Sequence, residues 1–312
     1  MSEVRSEFHC MPAGRSDVAH VHADHRELIP APADRRDFLR ISAAGVAAAI
    51  LTAHESALAS GSTTASALPS IRTSTSALPS SRASTSAFSN IRAIAFDAFP
   101  IFDPRPIGAL AEQLFPGKGA ELTNAWRTRQ FEYQWLRALT GRYADFLQAT
   151  DDALAFACEL LKLELTAEKR KQLMDAHLAL KAWPDVAPAL ESLKSAGLRL
   201  AFLSNATPKM LDAGIKNSGL EGLFEHVLST DAIKTYKPDP RAYQLAIDAF
   251  RLSRDEILFV AFAGWDAAGA KAFGYPTFWV NRLGVPAERL GVVPDAVGKG
   301  LDELVAFVKA SR

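Results

Sequence analysis

The chain has 312 residues, of which 48% are hydrophobic and 22% are charged, as is usual for a soluble globular protein. Lysine plus arginine and aspartate plus glutamate each number 35, so no net charge would attract nucleic acid or anionic lipid. The two cysteines, Cys10 and Cys158, are too far apart to indicate a disulfide framework or a zinc site. Composition therefore argues against a nucleic-acid-binding protein and against a small disulfide-stabilised one.

The N-terminal part of the chain carries the features of an export signal. The basic pair Arg35-Arg36 precedes an apolar run at positions 41–51 and the small-x-small sequence Ala57-Leu58-Ala59. The run is too short to span a bilayer. The arginine pair resembles the twin-arginine export signal of bacteria, which implies a signal peptide over residues 1–59 and a periplasmic protein that meets the membrane only during export. The alternative is a buried amphipathic helix with an incidental arginine pair.

Residues 60–90 have a biased composition and an approximate ten-residue repeat. The sequence Ser66-Ala67-Leu68-Pro69-Ser70 recurs closely at 76–80 and more loosely at 86–90. Repeats this short and polar cannot bury a face against one another, which argues against a solenoid. A segment rich in Ser, Thr, Ala and Pro is typical of a flexible linker, and we interpret residues 60–90 in that way.

Apolar runs alternate with segments of helical period from residue 91 onward. Continuous apolar runs of this length suit strands that are buried on both faces of a parallel sheet. Their alternation with helices predicts a doubly wound α/β fold. The predicted strands are 91–96, 198–203, 226–229, 257–262 and 277–280, and the predicted helices are 186–196, 208–218, 241–250 and 266–273.

One long interval breaks this alternation. Between positions 104 and 183 the sequence shows helical patterns, such as 126–139 and 149–163, but no convincing strand. A connection of that length after the first strand is usually a functional insertion above the sheet. The sequence therefore predicts a helical cap domain at 104–183, inserted into an α/β core domain formed by 91–103 and 184–312.

Polar side chains lie where several predicted strands end. Asp97 follows the first strand and Ser204-Asn205 the second, Asp266 comes shortly after a later strand, and Lys237 lies in a loop before a helix. Ligands of such sheets bind outside the carboxyl ends of the strands, so these side chains should converge. A carboxylate can act as a nucleophile, a lysine can keep it ionised, and a second carboxylate can activate water. The set predicts a hydrolase whose nucleophile is Asp97.

Residues 91 to 312 resemble the haloacid dehalogenase superfamily. Within it they are most similar to the type II, or (S)-2-haloacid, dehalogenases. The resemblance is most specific in the predicted cap. It rests on Phe96-Asp97-Ala98-Phe99, Trp126-Arg127, Gln130-Phe131-Glu132-Tyr133, Trp135-Leu136-Arg137, Gly141-Arg142-Tyr143-Ala144-Asp145-Phe146, Leu203-Ser204-Asn205, Tyr236-Lys237-Pro238-Asp239 and Trp265-Asp266.

The resemblance implies hydrolytic dehalogenation of a small (S)-2-halocarboxylate to an (R)-2-hydroxyacid through an aspartyl ester. Asp97 would attack C2, Arg127 would contact the halogen and the substrate carboxylate, Lys237 would keep Asp97 ionised, and Asp266 would orient or deprotonate the hydrolytic water. No cofactor or metal is implied, and a homodimer is a candidate assembly. The remaining implied site residues bind substrate: Ser204 and Asn205 at its carboxylate, Phe99, Phe131, Phe146 and Trp265 around its alkyl group, and Tyr243 near the nucleophile. For each aromatic residue the alternative is ordinary core packing.

Position 99 separates this branch from the phosphatases of the superfamily. Phosphatases place a second aspartate two residues after the nucleophile because an alkoxide leaving group needs a general acid, and here that residue is Phe99. A halide leaves without protonation, and one arginine can hold a monoanionic substrate. Two alternatives stay open: a phosphatase-type hydrolase, and a poorly catalytic protein that binds small carboxylates.

Two segments depart from the pattern of the family. Its first motif has a Gly-Thr pair after the nucleophile, whereas this chain has Pro100-Ile101 in a segment one residue shorter. Near the second aspartate the family usually has Ser-Ser-Asn-Ala-Trp-Asp, whereas this chain has Ala261-Phe262-Ala263-Gly264-Trp265-Asp266. The residues for attack on substrate are better retained than those for hydrolysis. We therefore expect ester hydrolysis to be the slower step.

Overall fold

The computed structural model describes residue 88 and residues 90–312. A six-stranded parallel sheet is its central element, with strand order β3-β2-β1-β4-β5-β6. The predicted doubly wound α/β class is therefore confirmed. The strands are β1 (Ala93–Phe96), β2 (Arg199–Ser204), β3 (His226–Ser229), β4 (Ile257–Ala261), β5 (Thr277–Val280) and β6 (Ala296–Gly298).

Nine α-helices are present among the described residues. Four of them lie within residues 104–183, where the sequence predicted an insertion without strands. These inserted helices are α1 (Arg105–Leu114), α2 (Gly119–Leu139), α3 (Phe146–Leu160) and α4 (Ala167–Ala176). The others are α5 (Val186–Ser195), α6 (Pro208–Ser218), α7 (Pro240–Phe250), α8 (Gly264–Phe273) and α9 (Leu301–Ala310).

Both faces of the sheet are buried, as the continuous apolar runs predicted. Alternate residues of a strand point to opposite faces. In β1, Ile94 and Phe96 belong to one hydrophobic cluster, whereas Ala93 and Ala95 belong to a second cluster on the other face. The small residues Ala93 and Ala95 let α7 and α8 pack closely on their side, through residues such as Ala246.

The first cluster also contains side chains of the inserted helices, including Leu122, Trp126 and Leu154. Two hydrogen bonds join the insertion to the loop that carries Lys237: the indole of Trp135 donates to Lys237 O at 3.2 Å, and the Tyr236 hydroxyl donates to Ala144 O at 2.5 Å. These contacts hold α2 and α3 above the carboxyl edge of the sheet. The division into a core domain and a separate cap domain stays a prediction.

The start of the folded part differs slightly from the prediction. Phe88 was assigned to the linker, but it is buried, and its ring lies 5.1 Å from that of Phe307 in an edge-on arrangement. The folded unit therefore includes Phe88. The predicted signal peptide and nearly all of the predicted linker lie outside the described residues. Within the described part of the chain, no helix is long and apolar enough to span a membrane.

Candidate active site

The carboxylate of Asp97 follows β1, the strand at which the chain order of the sheet reverses. Its main-chain N–H donates to Val260 O of the neighbouring β4 at 2.9 Å, which fixes the residue at the carboxyl edge. Lys237 Nζ and the Ser204 hydroxyl both donate to Oδ1, at 2.8 and 3.1 Å. The other oxygen, Oδ2, accepts only a long contact of 3.4 Å from the N–H of Phe99. One oxygen is thus anchored, and the other keeps lone pairs for chemistry.

Lys237 lies between two carboxylates. Its ammonium donates to Asp97 Oδ1, to Asp266 Oδ2 at 2.6 Å and to Leu203 O at 3.2 Å, so all three of its protons are used. The side chain is buried. Burial opposes its charge, but the attraction of Asp266 and Asp97 outweighs this effect and raises the pKa of Lys237. Lys237 is therefore a fixed cation that bridges both acids.

Asp266 is the third residue of α8 and is buried behind Lys237. Its Oδ1 accepts a hydrogen bond of 2.8 Å from the Tyr243 hydroxyl. Burial raises the pKa of Asp266 to about 6, with Lys237 opposing this shift and Asp97 adding to it. Neither Asp266 nor Tyr243 lines the cavity that Asp97 faces. Tyr243 was predicted to bind substrate, but the structure places it one layer behind the site as a donor to Asp266.

Ser204 and Asn205 sit at the end of β2, as predicted, but their hydrogen bonds differ from the prediction. The Ser204 hydroxyl donates its only proton to Asp97 and accepts from Ala206 N at 3.2 Å, so it positions the nucleophile. Asn205 Oδ1 accepts from Lys237 N at 2.8 Å and from the Thr230 hydroxyl at 3.2 Å. This arrangement turns the side-chain nitrogen of Asn205, Nδ2, which carries two protons, toward the inserted helices. Of these two residues, only Asn205, through Nδ2, is therefore available as a side-chain donor to a substrate carboxylate.

Gln134 of α2 was missed by the sequence analysis. It is fully buried, and its Oε1 accepts a hydrogen bond of 3.3 Å from Asn205 Nδ2. Its position could have been found, because Arg127, Phe131 and Gln134 are spaced i, i+4 and i+7 and so share one face of a helix. Gln134 orients the asparagine amide from the side of the insertion.

A small cavity lies against Asp97. Its walls contain eight of the eleven residues predicted from sequence and leave out Lys237, Tyr243 and Asp266. Two further wall residues, Phe262 and Ala263, were not predicted as site residues; they follow β4 directly. The full lining is Asp97, Phe99, Arg127, Phe131, Phe146, Ser204, Asn205, Phe262, Ala263 and Trp265.

Arg127 supplies positive charge to the cavity from α2. Although the residue as a whole is exposed, its guanidinium lies deep enough that burial lowers its pKa, an effect that the Asp97 carboxylate counteracts. The guanidinium carbon lies 5.8 Å from the ring centres of both Phe131 and Phe262. Among the described residues Arg127 has no hydrogen-bond or ion-pair partner. Its donors are therefore free for an anionic substrate or a departing anion.

The shortened segment after Asp97 closes without the family's glycine and threonine. Ile101 N and Phe102 N both donate to Ala98 O, at 3.1 and 2.8 Å, and the buried Ile101 side chain anchors the turn. Pro100 offers no N–H, but its carbonyl accepts from Arg282 at 3.0 Å. The turn thus closes without an N–H at Pro100, because Ile101 and Phe102 supply its donors, and no side-chain hydroxyl of the described residues donates to Asp97 Oδ2.

Over residues 90–312, no three His, Cys, Asp or Glu side chains are grouped so that they could hold a metal ion. At the site itself the space between the two acids contains Lys237 Nζ, which donates to both. The site therefore combines a carboxylate with one weakly bound oxygen, a buried lysine and an apolar wall, an arrangement expected of hydrolases that work through an aspartyl ester.

Comparisons with known proteins agree with this class. Residues 69–274 match the family model of haloacid dehalogenase-like hydrolases. The (S)-2-haloacid dehalogenase of Pseudomonas sp. (strain YL) is 46% identical over 206 residues, which cover 66% of this chain and 89% of the relative. The chain belongs to the haloacid dehalogenase-like hydrolase family.

Solved structures support the same assignment. The crystal structure of an L-2-haloacid dehalogenase is 46% identical, with a TM-score of 0.69, and covers 70% of this chain and 99% of the solved one. The L-2-haloacid dehalogenase of Xanthobacter autotrophicus with chloropropionic acid covalently bound is 35% identical, with a TM-score of 0.65, and covers 70% and 98%.

Proposed function

We propose that this protein hydrolyses (S)-2-haloacids to (R)-2-hydroxyacids through an ester on Asp97. The observation that carries the proposal is that the two carboxylate oxygens of Asp97 are hydrogen-bonded differently. Oδ1 is held by Lys237 and Ser204, whereas Oδ2 has one long contact and faces an apolar cavity that Arg127 also lines. The names of the relatives, dehalogenases acting on (S)- or L-2-haloacids, support this reaction.

In the first step Asp97 Oδ2 attacks C2 of the substrate. The new C–O bond forms as the carbon–halogen bond breaks, the configuration at C2 inverts, and halide leaves with its bonding electrons. Arg127 balances the charge of the substrate carboxylate and of the departing halide, and Asn205 Nδ2 donates to the carboxylate. Lys237 stays protonated and holds Oδ1 so that Oδ2 keeps its direction.

In the second step water attacks Cγ of the Asp97 ester, not C2. The bond between Cγ and the substrate oxygen breaks, so C2 keeps its inverted configuration and the hydroxyacid leaves. One proton of the water passes to the alkoxide of the product. The other proton is released as Asp97 returns to its ionised form. Asp266 does not line the cavity and acts on this step by holding Lys237 against Asp97.

The same walls distinguish this reaction from phosphate ester hydrolysis. Phe99 occupies the position where a phosphatase needs a general acid, and its ring packs 6.0 Å from Phe262 in the cavity wall. A phosphate dianion would meet aromatic rings on that side and a single guanidinium on the other. A 2-haloacid, with one negative charge and an apolar body, matches this distribution.

A single-turnover reaction in heavy-oxygen water tests the ester. If water attacks Cγ, one heavy oxygen enters the Asp97 carboxylate, and peptide mass spectrometry locates it there. Asp97→Asn is the matched control and should release no halide. Label that appears only in the hydroxyacid after one turnover would mean that water attacked C2 directly, and Asp97 would then lose its role.

We also propose that residues 1–59 direct export of the folded protein through the twin-arginine pathway. The proposal rests on Arg35-Arg36, the apolar run and Ala57-Leu58-Ala59. Changing Arg35 and Arg36 to lysine should leave the precursor in the cytoplasm, while Arg26→Lys, which also lies before the apolar run, should be exported normally. Equal periplasmic yield from all three forms would contradict the twin-arginine assignment.

A further inference from the structure

A second, larger cavity adjoins the reaction cavity. It lies among α1, α2 and the loops that follow β1 and β5. The two cavities share four lining residues, which form a common wall: Phe99, Arg127, Phe131 and Phe262. A ligand in the reaction cavity therefore needs to pass only this wall to reach the second one.

Arg127 belongs to the wall that the two cavities share. Its guanidinium lies between the rings of Phe131 and Phe262, at 5.8 Å from each centre, and no hydrogen bond to a described residue fixes it. Cation–π contacts at this distance are weak. A substrate carboxylate that draws the guanidinium toward the reaction cavity would open a passage between the two rings.

The walls of the second cavity suit an apolar ligand. The buried side chains of Ile107 and Trp126 line it, and Gly108 contributes only main-chain atoms. His177 also lines it, and burial lowers the pKa of His177 to about 4, so the ring is uncharged at neutral pH. Its Nδ1 pairs with Leu173 O at 3.1 Å. Apart from Arg127, the only charged residue of the lining is Arg105, which is exposed and whose guanidinium stacks 4.4 Å from the ring of Trp183.

We propose that the second cavity receives the C2 substituent of the substrate, so that the preferred substrates are 2-halocarboxylates with an extended apolar substituent, such as a longer alkyl chain or an aryl group. This inference rests on the proposed dehalogenase function. The carboxylate and C2 occupy the reaction cavity between Arg127, Asn205 and Asp97, and the substituent passes between Phe131 and Phe262. Two- and three-carbon haloacids carry no extended substituent and would leave the second cavity empty.

Gly108 offers a way to fill the second cavity without altering the reaction cavity. It lies in α1, it does not line the reaction cavity, and a Cβ built on it would meet only Thr123, at an ordinary contact distance of 3.8 Å. Gly108→Leu would therefore occupy empty space. Gly108→Ala is the matched control, because it makes the same change to the helix backbone and adds only one methyl group.

The experiment measures kcat/KM for halide release from 2-chloropropionate, 2-bromobutanoate, 2-bromohexanoate and 2-bromo-3-phenylpropanoate. In the unmodified protein and in Gly108→Ala, kcat/KM for the bromo acids should rise by up to roughly fourfold for each methylene added beyond the butanoate. Gly108→Leu should remove that rise and leave the rate with 2-chloropropionate unchanged. Halide release that is independent of chain length would overturn the inference and leave the proposed function intact. An equal loss on every substrate in Gly108→Leu would show that the cavity is an entrance, which also overturns it.

Binding of halogen-free analogues keeps the inference testable if no halide is released. Propanoate, hexanoate and 3-phenylpropanoate are titrated by calorimetry into the unmodified protein and both Gly108 variants. Affinity that grows with the apolar substituent and is lost in Gly108→Leu supports the cavity assignment even if the proposed dehalogenation fails. Equal affinities for the three acids, or the same length dependence in Gly108→Leu, would overturn it.

Discussion

The hydrogen bond from Tyr243 to Asp266 should determine the pH below which steady-state turnover is lost, which is the acid limb of the pH–rate profile. Asp266 has a pKa raised to about 6 by burial, so it changes charge close to neutral pH. The Tyr243 hydroxyl donates to Oδ1 at 2.8 Å, and Lys237 donates to Oδ2 at 2.6 Å. Both bonds favour the ionised carboxylate. Tyr243→Phe removes one of them and keeps the ring, so the pKa of Asp266 should rise further.

A hydrogen bond to a charged group contributes about 1.5–3 kcal/mol, which corresponds to about one to two pKa units. Turnover needs Asp266 ionised, because the ionised carboxylate holds Lys237 against Asp97, so turnover is present above the pKa of Asp266 and is lost below it. The acid limb should therefore move from near pH 6 to between about pH 7 and pH 8 in Tyr243→Phe. The plateau at alkaline pH should change much less.

The assay is steady-state halide release followed from acidic to alkaline pH. Tyr275→Phe is the matched control, because it also deletes a fully buried hydroxyl that donates nearby, at 2.6 Å, but to the main-chain carbonyl of Tyr243. The control should keep the acid limb of the unmodified protein. An unmoved limb in Tyr243→Phe, or equal movement in both variants, would refute the assignment of the limb to Asp266.

Two further predictions concern the charges of the site. Lys237→Met should lower the free energy of unfolding by about 3–5 kcal/mol and abolish the first halide release, because it leaves Asp97 and Asp266 buried without their cation. Urea unfolding measures the loss of stability, and substitution of the exposed Lys216 by Met is the control. Halide release should survive exhaustive chelation, since the chemistry assigned to the site uses carboxylates, lysine and arginine. Loss of activity that magnesium restores would favour the phosphatase alternative.

The fold and the edge that carries the site followed from hydrophobic period and chain order. Parallel strands bring their carboxyl ends to one edge, and the structure places Asp97 and Ser204 there, at hydrogen-bond distance. The three-residue β6 escaped prediction because Ala296–Gly298 lacks an apolar run. Phe88 escaped because a single aromatic residue after a polar repeat has no period, and its burial depends on Phe307 more than two hundred residues away.

The roles of individual side chains were harder to predict than their location. A sequence shows that Tyr243 and Ser204 are near a site, but the partner of each hydroxyl depends on distances that only the folded chain fixes. Tyr243 bonds to Asp266 behind the site, and Ser204 bonds to the nucleophile. Phe262 was noted only as a departure from a polar motif, although its ring forms part of both cavities.

The last prediction concerns which half of the reaction is slow. The residues that serve attack on C2 surround Asp97, but Ala261 and Ala263 offer no side-chain donor where the family has hydroxyl and amide groups. Besides Asp97 and the aromatic walls, water in the cavity meets the polar side chains of Arg127, Ser204 and Asn205, of which Ser204 and Asn205 already donate to Asp97 and Gln134. Losing one oriented donor costs on the order of 2–4 kcal/mol of transition-state stabilisation. The ester should accumulate, and rapid mixing should show a burst of halide near one equivalent per site before slow turnover.

Replacing Ala261 with Ser and Ala263 with Asn should speed the slow phase and leave the burst rate nearly unchanged. The structure adds a complication, because Ala263 is the N-cap of α8 and has no side-chain cap, so asparagine there also stabilises the helix, by about 1 kcal/mol. Ala263→Asp, which caps equally well but has no donor when ionised, separates the two effects. The slow phase should rise with Asn and not with Asp, while both raise Tm. A linear time course in the unmodified protein, without a burst, would show that attack on C2 limits turnover, and Pro100-Ile101 would then be the substitution that slows the enzyme.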